Sequence, residues 1–131
     1  MPPPTRASAR RGARARRYGL WAERLTFWLL WVRGFELVAW RAHVGRWELD
    51  LLVARGDELR LVEVKARRRG AWVGADLALG PDQRLRLKGA LRGWLDRRPW
   101  PGRLTFQRVS WRGWSCRFHE PERWEGLGPM R

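Results

Sequence analysis

Two neighbouring segments, Trp47 to Ala54 and Glu58 to Lys65, constrain this chain more than anything else in it. Each alternates with a period of two, each is largely apolar on both faces, and each carries carboxylates in its interior. Gly56 and Asp57 between them are turn residues, so the two segments fold back on each other as a hairpin. With a two-residue loop Arg55 faces Glu58, which sets Asp50 opposite Glu63 and Glu48 opposite Lys65. The face of Asp50 and Glu63 continues as Leu52, Ala54, Leu59 and Leu61, and the other face carries Trp47, Leu49, Leu51, Val53, Val62 and Val64. Strands apolar on both faces are central and covered. A charge in such a strand is costly unless it is paired or bound to a metal, and like charges directly opposite each other destabilise a sheet. Asp50 facing Glu63 therefore predicts a divalent-cation site. Hard carboxylate oxygens with neither His nor Cys beside them select Mg²⁺ or Mn²⁺ over zinc. The alternative is a salt-bridged hairpin without catalytic meaning, in which Lys65 neutralises Glu48 while Asp50 and Glu63 sit at a wet strand end.

The rest of the chain supplies layers for this hairpin. Between Gly19 and Arg33, residues Trp21, Leu25, Trp28, Leu29 and Val32 recur at helical spacing and predict a buried helix face, with Gly34 as the C-terminal cap. Phe35 to Ala42 reads as a strand broken by Gly45. Beyond the basic loop Ala66 to Gly70, Pro81 and Asp82 open a second helix whose Leu87, Leu91, Trp94 and Leu95 share a face, and Pro99 ends it. Arg103 to Ser110 and Ser115 to His119 are short strands around a turn at Trp111, Arg112 and Gly113. Helix, three strands, helix, two strands implies an α/β domain, a mixed sheet flanked by helices.

Length and charge limit what such a domain does. At 131 residues the chain fits a single domain, read here as 18–126 between a basic tail at 1–17 and a short C-terminal tail at 127–131. The first tail has three consecutive prolines and no aliphatic residue larger than alanine, a composition that predicts disorder. A formal charge of +15 gathers polyanions, so nucleic acid is the expected partner. Lys65 and Lys88 are the only lysines, and an arginine bias of that kind reflects genome composition as readily as phosphate recognition. One cysteine, Cys116, excludes an internal disulfide, and the longest apolar run, Leu25 to Val32, is too short to span a bilayer. The expectation is a cytoplasmic protein without a membrane anchor.

The sequence Glu48-Leu49-Asp50-Leu51-Leu52, followed by Val62-Glu63-Val64-Lys65-Ala66-Arg67, resembles the YraN-like family of small bacterial endonuclease-like proteins. That family is similar to archaeal Holliday-junction resolvases and belongs to the PD-(D/E)xK nuclease superfamily. The resemblance runs from about Gly19 to Leu95 and includes Gly19, Glu23, Leu30 and Gly34 of the first helix. It implies a restriction-endonuclease-like fold and a Mg²⁺- or Mn²⁺-dependent hydrolysis of phosphodiester bonds in which no side chain needs to form a covalent intermediate. On this resemblance Asp50, Glu63 and Glu23 are metal ligands, Glu23 through water. Lys65 orients the attacking water and offsets phosphate charge, while Glu48 and Gln83 support the ligands from outside. Three positions depart from the family pattern: Trp47 stands for a glycine, Thr26 for an alanine, and Gln83 for a basic residue, whose loss either weakens catalysis or passes its task to Arg84. By analogy with resolvases, a homodimer is expected.

Arg67, Arg68 and Arg69 follow Lys65 directly and are placed to hold DNA phosphates, or else form a solvated loop. Trp72, Trp100, Trp111 and Trp114 are candidates for stacking on unpaired bases, although most of eleven tryptophans must serve the core. Cys116 and His119 lack the second ligand pair that zinc needs, and His43 reads as a loop histidine. Three functions remain open on the residues alone: a metal-dependent endonuclease acting on DNA, branched or single-stranded structures included; a non-catalytic nucleic-acid-binding protein of the same fold; and a basic structural or ribosome-associated protein.

Overall fold

A computed structural model of the chain describes residues 5–67 and 80–127. Its elements run α1 (Arg6–Val32), β1 (Glu36–Val44), β2 (Trp47–Arg55), β3 (Glu58–Arg67), α2 (Pro81–Arg97), β4 (Arg103–Arg112), β5 (Ser115–Phe118) and β6 (Glu122–Arg123). The strands form one mixed sheet in the order β1-β2-β3-β4-β5, with β6 paired to the start of β4. β1, β2 and β3 are antiparallel neighbours, β4 runs parallel to β3, and α2 lies in the connection between them. The α/β architecture expected from the element order is the one observed.

The hairpin forms as its turn residues require. Gly56 takes φ +60° at the first loop position, and Arg55 pairs with Glu58, followed by Ala54 with Leu59 and on to Leu51 with Val62. β2 and β3 are central and covered. On one side Leu52, Leu59 and Leu61 meet Leu87, Ala90, Leu91, Trp94 and Leu95 of α2; on the other Leu51, Val53 and Val62 meet Ala22 and Leu30 of α1. Phe106 stacks on Trp124 at 4.7 Å, and the α2 core reaches Leu127.

Four expectations are corrected. The first helix starts at Arg6, not Gly19, through most of the segment read from composition as a disordered tail; Ala and Arg are strong helix formers, and no proline follows Pro4 there. That helix is also rotated from the expected face, of which only Leu25 packs against the core. Ala22, Thr26 and Leu30 point into the sheet, while Trp21, Trp28 and Trp31 are 59%, 56% and 55% exposed. Two adjacent stripes share the helical period, and the small one allows the closer approach to the sheet. Trp111 then fills the interface, its Nε1 donating to Thr26 Oγ1 at 2.8 Å while Thr26 donates to Ala22 O. Thr26 in place of alanine thus serves Trp111. Third, β4 continues through Arg112, because Trp111 and Arg112 pair with Cys116 and Ser115. Fourth, Leu49 belongs to the α2 cluster and Leu51 to the α1 cluster, so the alternation of β2 breaks between them.

Candidate metal and nucleic-acid site

The break in alternation lies at Asp50. On β1, Trp40 pairs with Leu51 and Ala42 with Leu49, so Arg41 lies across from Asp50. Arg41 is the one non-glycine at positive φ among the described residues, at +53°. A side-chain-bearing residue in that region is strained, and such strain concentrates at functional sites. Its guanidinium Nε lies 3.2 Å from both Glu23 Oε2 and Glu48 Oε1. On the other side of β2 the regular pairing with β3 is recorded as far as Leu51 and Val62. Beyond it, Val64 N–H donates to the Asp50 carboxylate at 2.9 Å.

Asp50 and Glu63, one position beyond the last regular pair, are brought together and share a side-chain hydrogen bond. Burial, aided by the charges of Glu23 and Glu48, pushes the Asp50 carboxyl up to about 6 against the opposing hydrogen bond from Val64. Burial also raises Glu63 well above the ordinary carboxylate range; the Asp50 charge adds to it, their mutual hydrogen bond favours the protonated form, and Arg108 opposes. Arg108 pairs with Glu63 across the parallel β3–β4 ladder. Glu63 Oε2 is buried with no hydrogen-bond partner among the described residues. Two coupled carboxylates, one with an idle buried oxygen, suit an ion that takes one or two carboxylates and otherwise keeps its water.

The other proposed ligand is placed differently. Glu23 is 5% exposed, and its Oε2 accepts from Trp40 Nε1 at 2.9 Å and Arg41 Nε at 3.2 Å. No group of three or more His, Cys, Asp or Glu side chains is arranged to hold a metal among the described residues. Glu48 meets Arg41, with His43 at 3.9 Å, where the register alone had suggested Lys65. Lys65 is half-buried on β3, paired with Ser110 of β4. Because Val62 and Val64 face α1, the alternation of β3 turns Glu63 and Lys65 together toward the other face.

The remaining candidates divide. Arg67 is exposed at the end of β3, whereas Arg68, Arg69 and Trp72 lie outside the described residues. Arg84 forms an ion pair with Glu122 of β6, and Gln83 is exposed in the first turn of α2. Trp111 is buried, Trp100 is half-buried with its Nε1 donating to Asp57 O, and Trp114 is open to solvent. His119 Nε2 lies 2.9 Å from Ser110 Oγ, and burial lifts the Cys116 thiol to about 11, which keeps it protonated at neutral pH. Arg41, Trp40 and Arg108 were missed from sequence. Each approaches the carboxylates from a strand outside the hairpin, and no local pattern marks them.

A profile of Uncharacterised protein family UPF0102 matches residues 22–120, from within α1 to just beyond β5, including Glu23, Asp50, Glu63 and Lys65. The chain belongs to the UPF0102 family. This is the YraN-like family that the hairpin motif resembles. A UPF0102 protein of Brucella canis is 37% identical over 86 residues, covering 66% of this chain and 67% of its own. A UPF0102 protein of Methylorubrum extorquens is 36% identical over 124 residues, covering 95% and 90%. Among the described residues of this UPF0102 chain, no helix is long and apolar enough to cross a membrane.

Proposed function

We propose that this UPF0102 chain is a metal-dependent endonuclease that hydrolyses DNA phosphodiester bonds, with branched or single-stranded structures as its substrates. The observation that carries the reading is the half-buried Asp50–Glu63 pair with an idle buried oxygen on Glu63. These two residues would hold Mg²⁺ or Mn²⁺. When bound, the ion polarises a phosphate and lowers the pKa of a water. Val64 N–H fixes the Asp50 carboxylate, and Arg41 holds Glu23 and Glu48 beside it. Lys65, on the same face as Glu63, contributes positive charge toward the phosphate without competing as a ligand. The +15 charge favours a polyanionic substrate.

The test is Mn²⁺-dependent cleavage of duplex, single-stranded and four-way-junction DNA, with Lys65→Ala as control. Metal-dependent cleavage lost in Lys65→Ala supports the proposal; no cleavage of any substrate overturns it. A second reading, a nucleic-acid-binding protein without turnover, is favoured by Gln83, which stands where a basic residue is expected and is exposed. Salt-sensitive DNA binding without metal-dependent cleavage would select it.

A further inference from the structure

The outward stripe of α1 is ordered in a way its inward stripe is not. Arg17, Trp21, Arg24, Trp28 and Trp31 follow one another at alternating spacings of four and three residues, and all five are exposed. That spacing keeps them on one side of the helix. Trp28 and Trp31 meet edge to face at 5.8 Å, and both stay more than half exposed. Beside the stripe, a groove of about 340 Å³ opens between α1 and β1, with Phe27 and Trp28 on the helix side and Leu37 and Trp40 on the strand side. The Arg24 guanidinium lies 5.5 Å over the Trp40 ring. Trp40 is itself held by its hydrogen bond to Glu23, whose charge reaches Asp50.

We infer that this groove binds an unpaired base of single-stranded DNA, stacked against Trp28, with Arg24, held over Trp40, meeting the adjoining phosphate. The choice of nucleic acid rests on the proposed function above. Indoles give every base a flat surface, and interleaved arginines follow the backbone; together they form a single-strand platform. Charge decides among occupants. The rim carries Arg24, while the groove's one lining carboxylate, Glu23, is buried and engaged by Trp40 and Arg41. A second copy would bring the same cationic stripe and the same +15 charge, whereas a single strand brings phosphates. Bound there, an unpaired nucleotide sits beside Glu23, whose charge reaches Asp50, which would direct the site to frayed or branched DNA.

The experiment is fluorescence anisotropy of a labelled oligothymidylate in EDTA, with a fully abasic strand of equal length and a hairpin duplex as comparisons. Trp28 is exposed, so Trp28→Ala is expected to fold, and far-UV circular dichroism checks this. Wild type should bind oligothymidylate more tightly than the abasic strand. Trp28→Ala should lose about tenfold on oligothymidylate and less than twofold on the abasic strand, while Trp28→Phe restores most of the affinity. Equal wild-type affinity for the two strands, or an unchanged Trp28→Ala, overturns the inference. Should sedimentation show that Trp28→Ala instead splits a dimer with oligonucleotide affinity intact, the groove is a protomer interface. Wild-type Mn²⁺-dependent cleavage of single-stranded and four-way-junction DNA reports separately on the endonuclease proposal, because neither outcome in EDTA depends on it.

Discussion

The Asp50 carboxylate accepts the Val64 backbone N–H at 2.9 Å, just past the last recorded regular pair of β2 and β3, Leu51 with Val62. One side chain thereby satisfies a backbone donor that the separating strands would otherwise bury unpaired, and it is locked in place by doing so. The consequence is a carboxylate held beside Glu63 at the cost of charge repulsion, which gives the metal-free protein a measurable signature.

Asp50→Asn keeps an oxygen for the Val64 donor while removing the repulsion. In EDTA its stability should equal wild type or exceed it by up to ~1 kcal/mol, the scale of a cross-strand pair. Wild type should gain melting temperature on adding Mn²⁺, and Asp50→Asn should lose most of that gain. Melting curves of both proteins with and without Mn²⁺ check this; a metal-blind wild type would count against the site.

Lys65→Ala should lower cleavage by at least ~10²-fold, the size of losing one electrostatic partner at a reacting phosphate. DNA binding in EDTA should survive the change. If gel-shift affinity falls as far as the rate, Lys65 is a phosphate contact and not part of the chemistry.

Glu58 gives the pH dependence. It is buried, and although burial raises its pKa, the hydrogen bonds from Thr105 and Arg60 and the charges of Arg60 and Arg55 outweigh this and hold it below the ordinary carboxylate range. Arg60 and Thr105 each lie 2.7 Å from Glu58 Oε2. A depressed folded pKa adds stability above the unfolded carboxylate value, and that stability is lost as pH falls through the folded one. Glu58→Gln should cost about 1–3 kcal/mol at pH 7. Urea titrations across the acid range should show the gap from wild type closing toward low pH.

Thr26→Val removes the acceptor for Trp111 Nε1 and leaves a buried N–H unpaired, a loss of about 1–3 kcal/mol. Thr26→Ser should retain most of the stability. Thermal unfolding of the two variants separates the hydrogen bond from the packing of the β-branched side chain.

Local chemistry made the hairpin legible. Gly56 permits the turn and apolar alternation sets the register from Arg55–Glu58 to Leu51–Val62, which leaves Asp50 and Glu63 as the next residues along the two strands. α2 was equally legible, with Pro81 at its start and Leu87, Leu91, Trp94 and Leu95 on its buried face. The tertiary structure decided what periodicity leaves open. A helical repeat reports that a stripe exists, but two adjacent stripes of α1 share the repeat, and close packing against the sheet selected Ala22, Thr26 and Leu30 over the tryptophans. Likewise the alternation that places residues along β2 assumes an unbroken pleat. The positive φ of Arg41 lies opposite the break at Asp50, and it is β1, remote from β3 in pairing order, that brings Arg41 and Trp40 to Glu23. Such contacts arise only when separate elements close on one another, so no window of sequence contains them.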